Sequence, residues 1–96
     1  MAEHVDDLTI AYAEGDQELT RELDKVVLSR GLWTTVMFLY QDRDRRTGEF
    51  GPPKVSIRRY KKIGGTYRPQ SRFNVSSRRQ AQRIVETLQN WLDRMA

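Results

Sequence analysis

The chain has no cysteine and a single histidine, His4. Disulfides and thiolate metal sites are thereby excluded, as are triads and metal centres built from several imidazoles. No apolar run approaches the ~20 residues that span a bilayer as a helix, so no membrane partner is expected. The N-terminus, Met1-Ala-Glu-His-Val-Asp-Asp7, is acidic and has no basic segment leading into an apolar one. That argues against a signal peptide and for an intracellular protein, cytoplasmic or nucleoid-associated. Carboxylates are sparse beyond residue 30. Asp42, Asp44 and Glu49 share one loop, and Glu86 and Asp93 lie seven residues apart. Neither set has the spacing of a two-metal nuclease site, and the glycines match neither phosphate-cradling signature. No enzyme, no cofactor and no bound metal is expected. Apolar residues are scarce too: 38% of 96 residues are hydrophobic and 31% are charged. A core that suffices alone is marginal at this size, so protomers are expected to associate and share apolar surface.

What the chain has is positive charge in one place. Residues 1–30 carry eight acidic groups against Arg21, Lys25 and Arg30, a net of −5. From Arg43 to Arg79 there are 12 Lys/Arg against Asp44 and Glu49, a net of +10 in a chain of net +4. Aromatic residues (Phe50, Tyr60, Tyr67, Phe73) are threaded through this basic middle. Phosphates attract cations and unpaired bases stack on rings, so the mixture points to single-stranded nucleic acid.

The elements follow from periodicity. Residues 1–15 show little of it and end at Glu14-Gly15-Asp16, which predicts a loose acidic arm. For residues 16–30 helix and strand both stay open. Asp16 can cap a helix bearing Leu19 and Leu23, whereas Lys25-Val-Val-Leu-Ser29 reads as a strand. Leu32 to Gln41 is rich in β-branched and aromatic residues on both alternating faces, as in a strand covered on two sides. Asp42 to Pro53 is a polar loop. Lys54 to Lys62 predicts a strand with Val55 and Ile57 inward and Lys54, Ser56, Arg58, Tyr60 and Lys62 outward. Gly64-Gly65 makes a hairpin turn. Thr66 to Val75 is a strand weakened by Pro69, with Arg68, Gln70, Arg72 and Asn74 on one face. Ser77-Arg-Arg-Gln80 has the capping-box spacing. Ala81, Ile84, Val85, Leu88, Trp91, Leu92 and Met95 then form a wide helical apolar stripe.

The outward row on the Lys54 strand, joined by Arg68 and Arg72, gathers cations on one sheet face. A solvated face is the plain alternative. Yet like charges opposed across strands cost roughly 0.2–1 kcal/mol per pair, with no structural benefit unless an anion is present. Arg78 and Arg79 stand at a helix N-terminus, where cations are unfavourable by roughly 0.3–1 kcal/mol each. Either solubility explains them or, with the backbone N–H groups, they meet a phosphate. Tyr60 and Tyr67, embedded among cations, are the better candidates for base stacking, while Phe38 and Phe73 are expected in the core. The Arg43–Gly48 loop reads equally as a basic finger or as solvated loop.

At Lys54-Val-Ser-Ile-Arg-Arg-Tyr60, through Gly64-Gly65, Pro69, Phe73-Asn-Val-Ser76 and the helix, the chain resembles the PC4-like (transcriptional coactivator p15) single-stranded DNA-binding family. The likeness covers about Lys54 to Trp91, with Val26 to Gln41 as the preceding strands. It implies a β-β-β-β-α protomer that dimerises through its C-terminal helix. It also implies single-strand binding with little sequence preference on the exposed sheet face, at Arg58, Tyr60, Lys61, Lys62, Arg68 and Arg72. Two departures stand out: Lys61 lies where the family often has an aromatic ring, and the Asp42–Pro53 loop is longer than the family's turn. The expectation is an α+β chain: a flexible acidic arm over 1–22, then a nucleic-acid-binding domain over 23–96 with a four-stranded antiparallel sheet and a long C-terminal helix. Its expected partner is single-stranded DNA before RNA, in transcription or DNA metabolism. The competing role is an interaction module that docks an acidic protein on the same face.

Overall fold

A computed structural model describes residues 2–95 of the chain. Strands β1 (Tyr12–Glu14), β2 (Gln17–Ser29), β3 (Trp33–Asp42), β4 (Lys54–Ile63) and β5 (Thr66–Val75) precede helix α1 (Arg78–Trp91). They form one antiparallel sheet in sequential order. The α+β class and the sheet-then-helix order are as expected, but there are five strands and not four. The extra strand, β1, pairs with β2 across Gly15-Asp16, where Gly15 adopts φ +60°. A two-residue turn with a left-handed glycine is the ordinary means of closing a hairpin.

Residues 17–29 are one continuous strand, which settles the open choice of helix or strand. Pairing decides it: Lys25, Val26 and Val27 lie opposite Phe38, Met37 and Val36. Leu23, one of the two leucines that suggested a helix, and Leu28 of the strand reading fall where the register shifts and have no partner on β3. Such bulges bend and twist a strand, and the sheet curls accordingly. The boundary expected after residue 22 therefore lies inside β2.

Curling gives the sheet two unlike faces. One carries Thr34, Val36, Phe38 and Tyr40 of β3 beside Ser56 and Tyr60 of β4 and Tyr67 of β5, all buried. The N-terminal segment covers this face, with Val5, Leu8 and Ile10 buried in the same cluster. A 3-10 turn at Val5–Asp7 spaces these three side chains onto the sheet. Tyr67 N donates to Ala2 O at 2.8 Å, and Lys25 Nζ donates to Asp6 O and Leu8 O, both at 2.8 Å. The acidic arm, expected to be loose, thus supplies one layer of the core.

The other face is open. Val26, Leu39 and Phe73 are exposed there, and Met37, Val55 and Ile57 are only partly covered. Phe73 was expected in the core, and β3 was expected to be covered on both sides; neither holds. Helix α1 begins as expected, with Ser77 Oγ accepting from Gln80 N at 3.1 Å. It does not back the sheet, however: its contact is slight and mainly with β5, and none of its residues is buried. Val85, Leu88, Trp91, Leu92 and Met95 stay exposed along one stripe. The radius of gyration, 15.3 Å, exceeds the ~12.5 Å of a compact 96-residue domain. The accessible surface of 7230 Å² exceeds by roughly 1,500 Å² that of a compact protein of 11.3 kDa.

Candidate nucleic-acid interface

Between Glu49 and Glu86 the chain has ten Lys/Arg and no Asp or Glu. This stretch folds into the β4–β5 hairpin and the start of α1. Gly64 and Gly65, at φ +60° and +85°, close the hairpin with the two left-handed residues that such a turn requires. Besides Lys54, six of the cations lie on the hairpin: Arg58, Arg59, Lys61, Lys62, Arg68 and Arg72. Among the described residues none of the six has a carboxylate within 4.0 Å, and five other Lys/Arg do.

Register divides the six equally between the two faces. Residues directly opposed across antiparallel strands share a face, and the pairs here are Arg58–Arg72, Lys61–Arg68 and Lys62–Tyr67. Arg58, Lys62 and Arg72 stand on the arm-covered face. Arg59, Lys61 and Arg68 stand on the open one. Gathering Arg68 with Arg72 on one face, as the alternation predicts, is therefore wrong. The cause is a bulge: Ser71 pairs with Arg59 and Pro69 with Tyr60, leaving Gln70 without a partner. Proline has no N–H for the ladder, and bulges are where sheets accommodate it. One extra residue reverses the facing of everything between Pro69 and the turn.

The arm-covered face holds most of the expected contacts. Ser56 Oγ donates to Asn74 Oδ1 at 2.7 Å and accepts from Arg58 Nε at 3.2 Å. That relay holds the Arg58 side chain along β4, towards Ser56. Grooves of about 650 and 420 Å³ run between the arm and β4–β5, and Arg58 lines both. Contrary to expectation, Ser56 and Tyr60 are buried while Val55 and Ile57 are not, so the outward row of β4 points into the core. Tyr60 and Tyr67 are 4% and 7% exposed and offer no free ring for stacking. Burial raises the Tyr60 phenol pKa above its ordinary 10.0, an effect that nearby Arg58 partly offsets. Lys54 is paired with Asp42 at 2.8 Å, and this hydrogen bond raises its pKa above 10.5. It is thereby taken out of the free set.

The remaining expected residues are elsewhere. Arg78 and Arg79 are exposed in the first turn of α1, beyond the end of β5 and free of carboxylates among the described residues. The Arg43–Gly48 loop is folded on itself. The Arg21 and Arg43 guanidinium groups both stand over the Phe50 ring, 3.9 and 4.5 Å from its centroid. Arg43 also donates to Glu18 O and Gly48 O. Arg45 pairs with Glu14, whose pKa is held below 4.5 by that hydrogen bond. The loop is no free basic finger. Sequence reasoning gave Arg59 no role, since only the register reveals that it flanks Trp33. That indole is 40% exposed on the open face, with the Arg59 guanidinium 4.4 Å and the Lys61 ammonium 5.1 Å from its centroid.

Among the described residues no group of three or more His, Cys, Asp or Glu is arranged to hold a metal ion. None of their helices is long and apolar enough to cross a membrane. In comparisons with known proteins, no family model, no curated protein and no solved structure matches the chain.

Proposed function

We propose that the protein binds single-stranded nucleic acid with little sequence specificity, tracking the phosphate backbone along the β4–β5 hairpin. The observation that carries this reading is the run of ten cations without a carboxylate, six of them on two paired strands and unneutralised. Two like-charge pairs, Arg58–Arg72 and Lys61–Arg68, face each other across those strands. An arrangement that costs stability in the free protein is favourable beside a polyanion. The motif likeness to the PC4-like family favours DNA over RNA and a place in transcription or DNA metabolism. Its role is binding and not catalysis, in the cytoplasm or on the nucleoid.

The acting species is a homodimer in which α1 of each protomer covers apolar surface of the other. The exposed stripe on α1, the bare apolar half of the open face and the excess surface support this. Burying roughly 1,500 Å² per protomer falls in the range of obligate dimers.

Fluorescence anisotropy of a labelled 20-nucleotide oligodeoxythymidylate, at low salt, tests the reading. Saturable binding is expected, resisted by neither duplex DNA nor polyglutamate at equal charge. Absence of binding sinks it, and tighter binding of polyglutamate favours an acidic protein partner instead.

A further inference from the structure

The rings expected to stack, Tyr60 and Tyr67, lie under the arm, yet an open ring stands among cations on the other side of the sheet. Trp33 opens β3 directly opposite Lys61, and Lys61 is directly opposite Arg68 on β5. Its indole is 40% exposed, with two cations over its face. The start of β3 is held by Lys62 N donating to Leu32 O at 2.8 Å, so the ring stands on paired strands and not on a loop. Among the described residues no carboxylate neutralises Arg59, Lys61 or Arg68. Apart from Ile63, which lies at the Trp33 end, the apolar residues of this face, Met37, Leu39, Val55, Ile57 and Phe73, lie nearer the opposite end of β3–β5. A partner helix covering them leaves the Trp33 end free.

We propose that Trp33, Arg59, Lys61 and Arg68 form a subsite for one unpaired nucleobase and its flanking phosphates. Indole and guanidinium make a flat, polarisable surface, and bases stack on both kinds of group. Lys61 and Arg68 flank that surface as point charges for the backbone on either side. The opposed pair Lys61–Arg68 gains a counter-ion only when the phosphates arrive. Lys61 itself is no ring, but the ring across the strand from it supplies the stacking surface. This inference rests on the proposed single-strand binding and gives it a place for the base.

The chain has two tryptophans, Trp33 and Trp91, so Trp91→Phe leaves Trp33 as the sole indole reporter. Titration of that variant with oligodeoxythymidylate is expected to quench its emission, with the midpoint seen by anisotropy of the labelled oligonucleotide. An abasic oligomer of equal length is expected to bind with little quenching. Trp33→Ala should weaken binding about 5- to 150-fold, the effect of losing one stacked base, and Arg68→Ala should lower the salt slope by about 0.7. Oligonucleotide binding with unchanged Trp33 emission would overturn the subsite and leave single-strand binding standing. No oligonucleotide binding at all overturns both.

Discussion

Neutralising the two like-charge pairs separately tests how a single strand meets this sheet. Each phosphate neutralised contributes about −0.7 to the slope of log affinity against log salt for single strands. Contact with all six hairpin cations gives a slope of about −4.2, so affinity falls roughly 300-fold between 50 and 200 mM salt. Contact with the three cations of one face gives about −2.1 and a fall of roughly 20-fold. Arg58→Ala with Arg72→Ala removes one opposed pair, and Lys61→Ala with Arg68→Ala removes the other. If the strand uses both faces, each double variant lowers the slope by about 1.4. Anisotropy titrations of a labelled oligonucleotide at four salt concentrations measure it directly. A wild-type slope near zero, or a slope that neither variant changes, refutes hairpin tracking.

Three further outcomes are expected. Leu8→Ala should destabilise the domain by about 2–5 kcal/mol in urea unfolding, because Leu8 is buried in the core cluster; an arm that merely drapes the surface would leave stability unchanged. Leu88→Glu, at an exposed position of the α1 stripe, should shift the sedimentation mass from dimer towards monomer at micromolar concentration without loss of helical signal. Tyr60 titrates above its ordinary 10.0 because of burial. The stability from keeping its phenol neutral is complete below pH 10 and lost as pH rises through the raised folded-state value. Tyr60→Phe should therefore flatten the alkaline limb of a stability profile measured from pH 9 to 11.5.

Local signals made part of this fold legible. The capping spacing at Ser77, the paired glycines at 64 and 65, and the β-branched run of β3 each describe a few neighbouring residues, and each gave its element. β1 was within reach too, since Gly15-Asp16 is a hairpin signal, but the acidic composition around it read as an arm. The facing of side chains was not legible. Alternation on β4 looks the same whichever face is covered. The covering layer comes from Val5, Leu8 and Ile10, whose irregular spacing carries no period. A stripe on α1 marks a face suited to packing, and its own sheet does not cover it. For the site, the cations of β4 and β5 were identifiable by type, whereas their grouping depended on Gln70. No composition rule reveals one unpaired residue beside a proline.

That residue shapes the charge pattern. Without the bulge, continuing the register from Ser71–Arg59 would set Arg68 opposite Lys62 and Pro69 opposite Lys61. Both opposed pairs would then share the arm-covered face. With it, each face has one opposed pair, and the free protein bears about 0.4–2 kcal/mol of repulsion in total. Against a net stability of roughly 5–15 kcal/mol that is a real burden, and moving either pair apart would relieve it. β5 is the edge of the sheet, so Arg72 and Arg68 flank the same free edge from opposite sides. On the proposed reading a strand that crosses this edge reaches both pairs in turn, and a duplex, too stiff to fold around it, reaches only one. Preference for unpaired nucleic acid then follows from the edge itself, before any base is contacted.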